Sequence, residues 1–163
     1  MNLLRLEFVI CFVIIALDQI SKLIVSSLLL PYEMFEVIPG FFRIHYILNP
    51  GAAFGIFAYQ RPVLIFVTVA VLVLIAANYS RLTSEIKTKS PVLFYSLMMV
   101  VGGAIGNFID RVRFGYVVDF LDFKIYPAIF NIADVAIVVG GLVFAISFIV
   151  QNREDKTDIP KIF

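Results

Sequence analysis

Leu6 to Leu30 reads LEFVICFVIIALDQISKLIVSSLLL, an apolar run with an aspartate and a lysine, Asp18 and Lys22, near its centre. A helix crossing the hydrocarbon needs roughly 20 such residues, and this stretch supplies them. Asp18 and Lys22 interrupt the centre, the apolar run continues past them, and no small-x-small cleavage site follows. The segment is therefore expected to be a permanent helix rather than a secretory leader. Spacing of one helical turn predicts a neutralising ion pair between the two charges inside the membrane.

Outward from this run the same composition persists. The chain of 163 residues is 61% hydrophobic and 15% charged, with a mean hydropathy of +1.00. That leaves too little polar surface for a soluble domain, and the bilayer must stand in for it. Three further apolar stretches, about 63–79, 92–109 and 128–150, complete the expected fold. It is mainly α, a polytopic membrane protein with four transmembrane helices in a single membrane-embedded domain, 1–163. Arg5, Arg81, Lys87, Lys89, Arg153, Lys156 and Lys161 flank one set of helix ends, which places both termini in the cytoplasm by the positive-inside rule. Arg43, Arg61, Arg111, Arg113 and Lys124 fall on the other side.

The segment 31–62 is too long and too aromatic for a plain connector. Phe42, Ile44, Tyr46 and Leu48 alternate with Arg43, His45 and Ile47, which is the period of a half-buried strand. A small β-sheet on the outer membrane surface is expected there, with turns at Gly40, Pro50 and Gly51. The middle loop, 80–90, reads as a short polar connector without function, and the charged tail 151–163 as mobile. Gly102 and Gly106, then Ala136 and Gly140, repeat a small-xxx-small spacing that predicts close packing of the third and fourth helices.

A net charge of +1 offers no field for nucleic acid. Cys11, the sole cysteine, excludes an intrachain disulfide and reads as packing. His45 is the sole histidine and lacks neighbouring ligands, so no metal and no cofactor are expected. The chain shows neither the inverted repeats nor the paired broken helices of a transporter. Ser21 and Lys22 point to different helix faces, which disfavours a serine-lysine peptidase.

The residues able to do chemistry gather at the outer ends of the last two spans. Asn131 and Asp134 are three apart on one helix face; Asn107 and Arg111 are four apart on another. Asp119 lies between those helices, flanked by Val117, Val118, Phe120 and Leu121. If Asp119 and Asp134 meet, they must share a proton, one serving as base toward water while the other donates to a carbonyl oxygen. The alternative is structural: Asp134 caps the last helix and Asp119 pairs with Arg111 or Arg113. Asp110 is expected to orient its loop by a charge-assisted hydrogen bond, and Asp122 to face solvent.

Four motifs stand in order: DQISK (Asp18 to Lys22), NPGAAFG (Asn49 to Gly55), GGAIGNFIDRVRFGYVVDF (Gly102 to Phe120) and FNIAD (Phe130 to Asp134). Together they resemble the lipoprotein signal peptidase family, also called signal peptidase II, across nearly the whole chain. The resemblance implies a bacterial inner-membrane aspartic endopeptidase that removes the signal peptide of diacylglyceryl-modified prolipoproteins just before the lipid-bearing cysteine. It puts the catalytic aspartates on Asp119 and Asp134, and supporting polar residues on Asp18, Lys22, Asn49, Asn107, Asp110, Arg111 and Asn131. It also implies inhibition by globomycin-type cyclic peptides. The expected partners are these precursors and membrane lipid, with the enzyme a monomer. A loop holding Phe42, Tyr46 and Asn49 is expected to cover the substrate, with Gly51 and Gly55 allowing close backbone approach.

Overall fold

The computed structural model describes residues 6–51, 57–87 and 90–157, with side chains through Gln151. Gly55, Arg5, Lys89 and Lys161 lie outside the described residues. Helix α1 (Leu6–Leu28) leads into strands β1 (Met34–Ile38) and β2 (Phe42–Asn49); α2 (Arg61–Ala77) follows. A short α3 (Tyr79–Arg81) and a π-helical turn (Leu82–Lys87) lead into α4 (Pro91–Phe114), then β3 (Val117–Phe123), β4 (Ile129–Phe130) and α5 (Ile132–Thr157). Helices α1, α4 and α5 are long and apolar enough to cross a membrane, and the bent pair of α2 with the 79–87 segment makes a fourth crossing if counted as one span.

The bundle is inside-out relative to a soluble one. Phe12 and Leu23 of α1 are 71% and 69% exposed, whereas Asp18 and Lys22 on the same helix are 0% and 4%. Such exposure is stable only where hydrocarbon is the solvent, and there the polar groups must find partners within the protein. With little apolar transfer to gain between helices, contact depends on close backbone approach. Helix α4 packs between α1 and α5 through its glycines. A Cβ on Gly102 would lie 3.2 Å from Cys11 and Ile14 of α1, and one on Gly103 only 2.4 Å from the Ala133 carbonyl oxygen of α5.

The sheet is four-stranded and antiparallel in the order β1-β2-β3-β4. It caps the bundle end where α1 and α4 finish and α2 and α5 begin. Tyr46, Val118 and Phe120 pack there against Val25 of α1. Gly115, at φ +86°, ends α4 in a left-handed turn that a β-carbon would strain. The chain then folds straight back into β3.

Several boundaries differ from the sequence reading. The last helix begins at Ile132, not near 128, because Ile129 and Phe130 pair with Asp122 and Leu121 on β3. It continues to Thr157, so the first part of the tail expected to be mobile is helical. The stretch taken as a plain middle loop carries helix and π turn from Tyr79 to Lys87. It is tied to α1 by a buried cluster: Glu7, 0% exposed, receives Lys87 Nζ at 2.9 and 3.0 Å and the Tyr79 hydroxyl at 2.9 Å. A carboxylate excluded from water needs such partners to remain there.

Candidate active site

Beneath the sheet, a polar network fills the crevice between α1, α4 and α5. Lys22 Nζ lies 2.8 Å from Asp18 Oδ2, 2.8 Å from Asp110 Oδ2 and 3.1 Å from Asn107 Oδ1, so its three donors are all engaged. Gln19 bridges the same carboxylates, donating to Asp110 Oδ1 at 2.9 Å and Asp18 Oδ2 at 3.2 Å. Asp18 Oδ1 also accepts the Ala133 N–H at 2.9 Å, placing negative charge at the positive end of α5. Asp110 Oδ2 takes the Val118 N–H at 3.2 Å and so fixes the start of β3.

Asp119 and Asp134 sit above this network, each held by amides. Asp119 Oδ1 accepts Asn131 Nδ2 at 2.7 Å, and Oδ2 accepts Asn49 Nδ2 at 2.8 Å. Asp134 Oδ1 accepts Asn107 Nδ2 at 2.7 Å, and Oδ2 accepts the Asn131 N–H at 3.3 Å. Asn131 Oδ1 in turn takes the Asp134 N–H at 2.8 Å, closing a capping box that starts α5. Neither carboxylate makes an ion pair among the described residues, since Lys22 is already engaged by Asp18 and Asp110. Arg111 turns instead to the Gly51 carbonyl oxygen at 2.9 Å.

Neutral donors orient the carboxylates without cancelling their charge. Burial, and then the neighbouring Asp134, push the Asp119 carboxyl up to about 7, against the opposing hydrogen bonds from Asn49 and Asn131 and the charge of Lys22. Near neutral pH one proton is therefore readily held in this region. Both aspartates line a cavity of about 380 Å³ that also touches Thr68 of α2, Ala104 and Arg111 of α4, Tyr126, and Ile137 and Val138 of α5. Its apolar wall and its carboxylates suit a substrate with a lipid-soluble body and a polar bond to be attacked.

Residues 10–150 match the family model described as signal peptidase (SPase) II. The chain belongs to the signal peptidase II family. It is 47% identical to the lipoprotein signal peptidase of Moorella thermoacetica over 80% of this chain and 83% of that protein. Identity to the lipoprotein signal peptidase of Pelotomaculum thermopropionicum is 41%, over 92% and 94% of the two chains. A solved bacterial membrane enzyme, obtained by the in meso method at 2.3 Å resolution, superposes with a TM-score of 0.82 at 30% identity, covering 99% of this chain and 94% of the other.

In this signal peptidase II family member, Asp119, Asp134, Asn49, Gly51, Asn107, Arg111, Asn131, Asp18, Lys22 and Asp110 lie within one hydrogen-bonded assembly. Asp18, Lys22 and Asp110 form its lower tier, with Asn107 and Asn131 joining that tier to the carboxylates. Of the structural alternative, the helix cap is made by Asn131, with Asp134 Oδ2 returning a bond from the Asn131 N–H, and Asp119 has no arginine partner among the described residues.

Other expectations change. Phe42 packs at a tilt against Phe123, and Tyr46 is buried in the sheet core. Asp122 does not face solvent: it is 4% exposed and engaged by Arg43 and His45. Gln19 is a further member of the site, and a glutamine inside an apolar span is itself a signal, because an amide in hydrocarbon must find partners. Tyr126 and Ile129 of the cavity wall carried no signal, since which side chains surround the site depends on how β4 folds back.

Proposed function

We propose that this chain is an aspartic endopeptidase that cleaves the signal peptide from diacylglyceryl-modified prolipoproteins immediately before the lipidated cysteine. The observation that carries the reading is the pairing of Asp119 and Asp134 in one cavity, each held by neutral amides and neither salt-bridged. The lipoprotein signal peptidases it resembles support the choice of substrate.

In the proposed reaction the two carboxyls hold one proton between them. The ionised member takes a proton from water as its oxygen attacks the scissile carbonyl, while the protonated member donates to the carbonyl oxygen. The tetrahedral intermediate then collapses: the C–N bond breaks, a proton passes to the leaving nitrogen, and the dyad regains its starting state. Asn49, Asn107 and Asn131 hold the carboxylates in place, Asp18, Lys22 and Asp110 anchor those amides, and Arg111 and Gly51 shape the cavity rim. Thr68, Ile137 and Val138 contribute to a wall continuous with the membrane-facing bundle, which suits a precursor whose acyl chains stay in the bilayer.

The arrangement belongs in a bacterial cytoplasmic membrane, with both termini in the cytoplasm and the dyad near the outer face. There a monomer would meet lipidated precursors and be blocked by globomycin-type peptides occupying the dyad. The test is cleavage of a diacylglyceryl-modified precursor in liposomes by wild type, Asp119→Asn and Asp134→Asn. Each variant should retain a cooperative thermal transition and lose about 10²–10⁴-fold in kcat, and the mature product should begin at the lipidated cysteine. Substantial turnover by either variant overturns the dyad.

A further inference from the structure

A second carboxylate of β3, Asp122, stands outside the cavity yet is almost as buried as Asp119, at 4% against 2% exposure. Its Oδ2 receives Arg43 Nε at 2.5 Å and lies 3.1 Å from His45 Nδ1. Both partners lie on β2, and they straddle the start of an irregularity in the ladder. Ile44 pairs with Leu121, but the next pair is Ile47 with Asp119. Two residues of β2, His45 and Tyr46, therefore oppose Phe120 alone. This is a two-against-one bulge, and it slips the register by one.

The slip decides which face Asn49 occupies. Beyond the bulge, Ile47 pairs with Asp119 and Asn49 with Val117, so Asn49 is the diagonal neighbour of Asp119 on the same face and reaches its Oδ2 at 2.8 Å. Carried on without a bulge, the register would pair Tyr46 with Asp119 and turn Asn49 to the opposite face. On its β1 side the bulge is tied by backbone, Tyr46 N–H donating to the Glu33 carbonyl oxygen at 3.0 Å and Tyr32 N–H to the Tyr46 carbonyl oxygen at 2.7 Å; on its β3 side the side-chain contacts flanking it are those of Asp122.

We propose that Asp122, through Arg43 and His45, is a positioning residue that pins the β2 bulge and thereby holds Asn49 on the Asp119 carboxylate. The inference deepens the peptidase reading and rests on it for its catalytic consequence. The hydrogen bond from Asn49 favours the ionised form of Asp119, so releasing the bulge raises the pH at which that carboxyl titrates. The other groups facing Asp119 are Lys22 from α1, Arg111 from α4, Asp134 and Asn131 beside α5. Lys22, Asp134 and Asn131 are held from the helices and remain as the common background in every variant, whereas Arg111 is tied through the Gly51 carbonyl oxygen to the same strand end as Asn49.

The decisive experiment follows the Asp119 carboxyl by ¹³C NMR in detergent micelles, with the resonance assigned by its loss in Asp119→Asn. Asn49→Ala, Asp122→Asn and the double variant are compared with wild type. The expected result is an upward shift of about one pH unit, the size one charge-assisted hydrogen bond supplies. It should be equal in both single variants and no larger in the double. An unmoved midpoint in Asp122→Asn, or shifts that add in the double variant, overturns the proposal. Should Asp122→Asn lose its cooperative melt, Arg43→Gln, which keeps the carboxylate and His45, must show the same direction of shift. Precursor cleavage is assayed in parallel, with kcat expected to fall at little change in KM and the acid limb of the profile to move upward. Because the titration is read without turnover, an inactive wild type would refute the peptidase reading and leave the positioning result standing by itself.

Discussion

Asn131 Nδ2 lies 2.7 Å from Asp119 Oδ1, so the residue that caps α5 is tied directly to the middle of β3. The same side chain accepts the Asp134 N–H through its own oxygen and donates to Asn107 Oδ1. Helix start, carboxylate placement and the link to Lys22 are therefore one construction.

Asn131→Ala should remove all three at once. Loss of the cap and of the buried partners is expected to cost about 1–2 kcal/mol, read as a lower midpoint in thermal unfolding. Turnover of a lipidated precursor should fall at least about tenfold, since a misaligned carboxylate forfeits the geometry on which proton transfer depends. A variant that melts earlier but cleaves at the wild-type rate would separate the cap from the chemistry.

Lys22→Met should destabilise far more than its position in an apolar helix suggests. Asp18 and Asp110 would be left buried with no cation between them, a loss of about 3–5 kcal/mol. Adding Asp18→Asn and Asp110→Asn should recover much of that stability by removing the stranded charges. A triple variant no more stable than the single one would contradict this account.

Glycine substitutions should divide sharply by position. Gly103→Ala places a methyl 2.4 Å from the Ala133 carbonyl oxygen and must push α5 off α4, at a cost of about 1–3 kcal/mol. Cleavage should fall with it, because α5 carries Asp134. Gly141→Ala meets nothing within 4 Å and should leave stability unchanged or raise it by up to about 1 kcal/mol through helix propensity.

The raised Asp119 carboxyl has a thermodynamic consequence. It titrates near 7 in the folded chain against 3.8 for the free group, so folding favours its protonated form. That stabilisation is complete below about pH 4 and is lost as pH rises through about 7. Thermal unfolding of wild type and Asp119→Asn across that window should show the difference moving in favour of Asp119→Asn by on the order of 2–4 kcal/mol. Parallel curves would show that burial does not perturb this group.

Local patterns made the spans and the carboxylate motifs legible. Apolar length alone marks a crossing helix, and Asp18, Lys22, Asn107 and Asp134 betray themselves because polar groups in hydrocarbon must have partners. Period-two alternation likewise exposed β2. Strand β3 escaped because it lies between β2 and β4 and is covered by the bundle, with most of VVDFLDF buried on both faces. A strand without a wet side has no alternation to read. The burial of Asp122 is illegible for the same reason: its neighbours in sequence give no hint that Arg43 and His45 lie across the ladder.

Sequence by itself determined that this chain is a mainly helical membrane protein and which few polar side chains it carries into that setting, because hydropathy and spacing act over one or two helical turns. Only the tertiary structure decided that Lys22 is consumed by Asp18 and Asp110, leaving Asp119 and Asp134 to amides. It alone set the one-residue slip that brings Asn49 to Asp119. Those outcomes depend on which donors meet across strands and helices far apart in the chain, and no local periodicity encodes them.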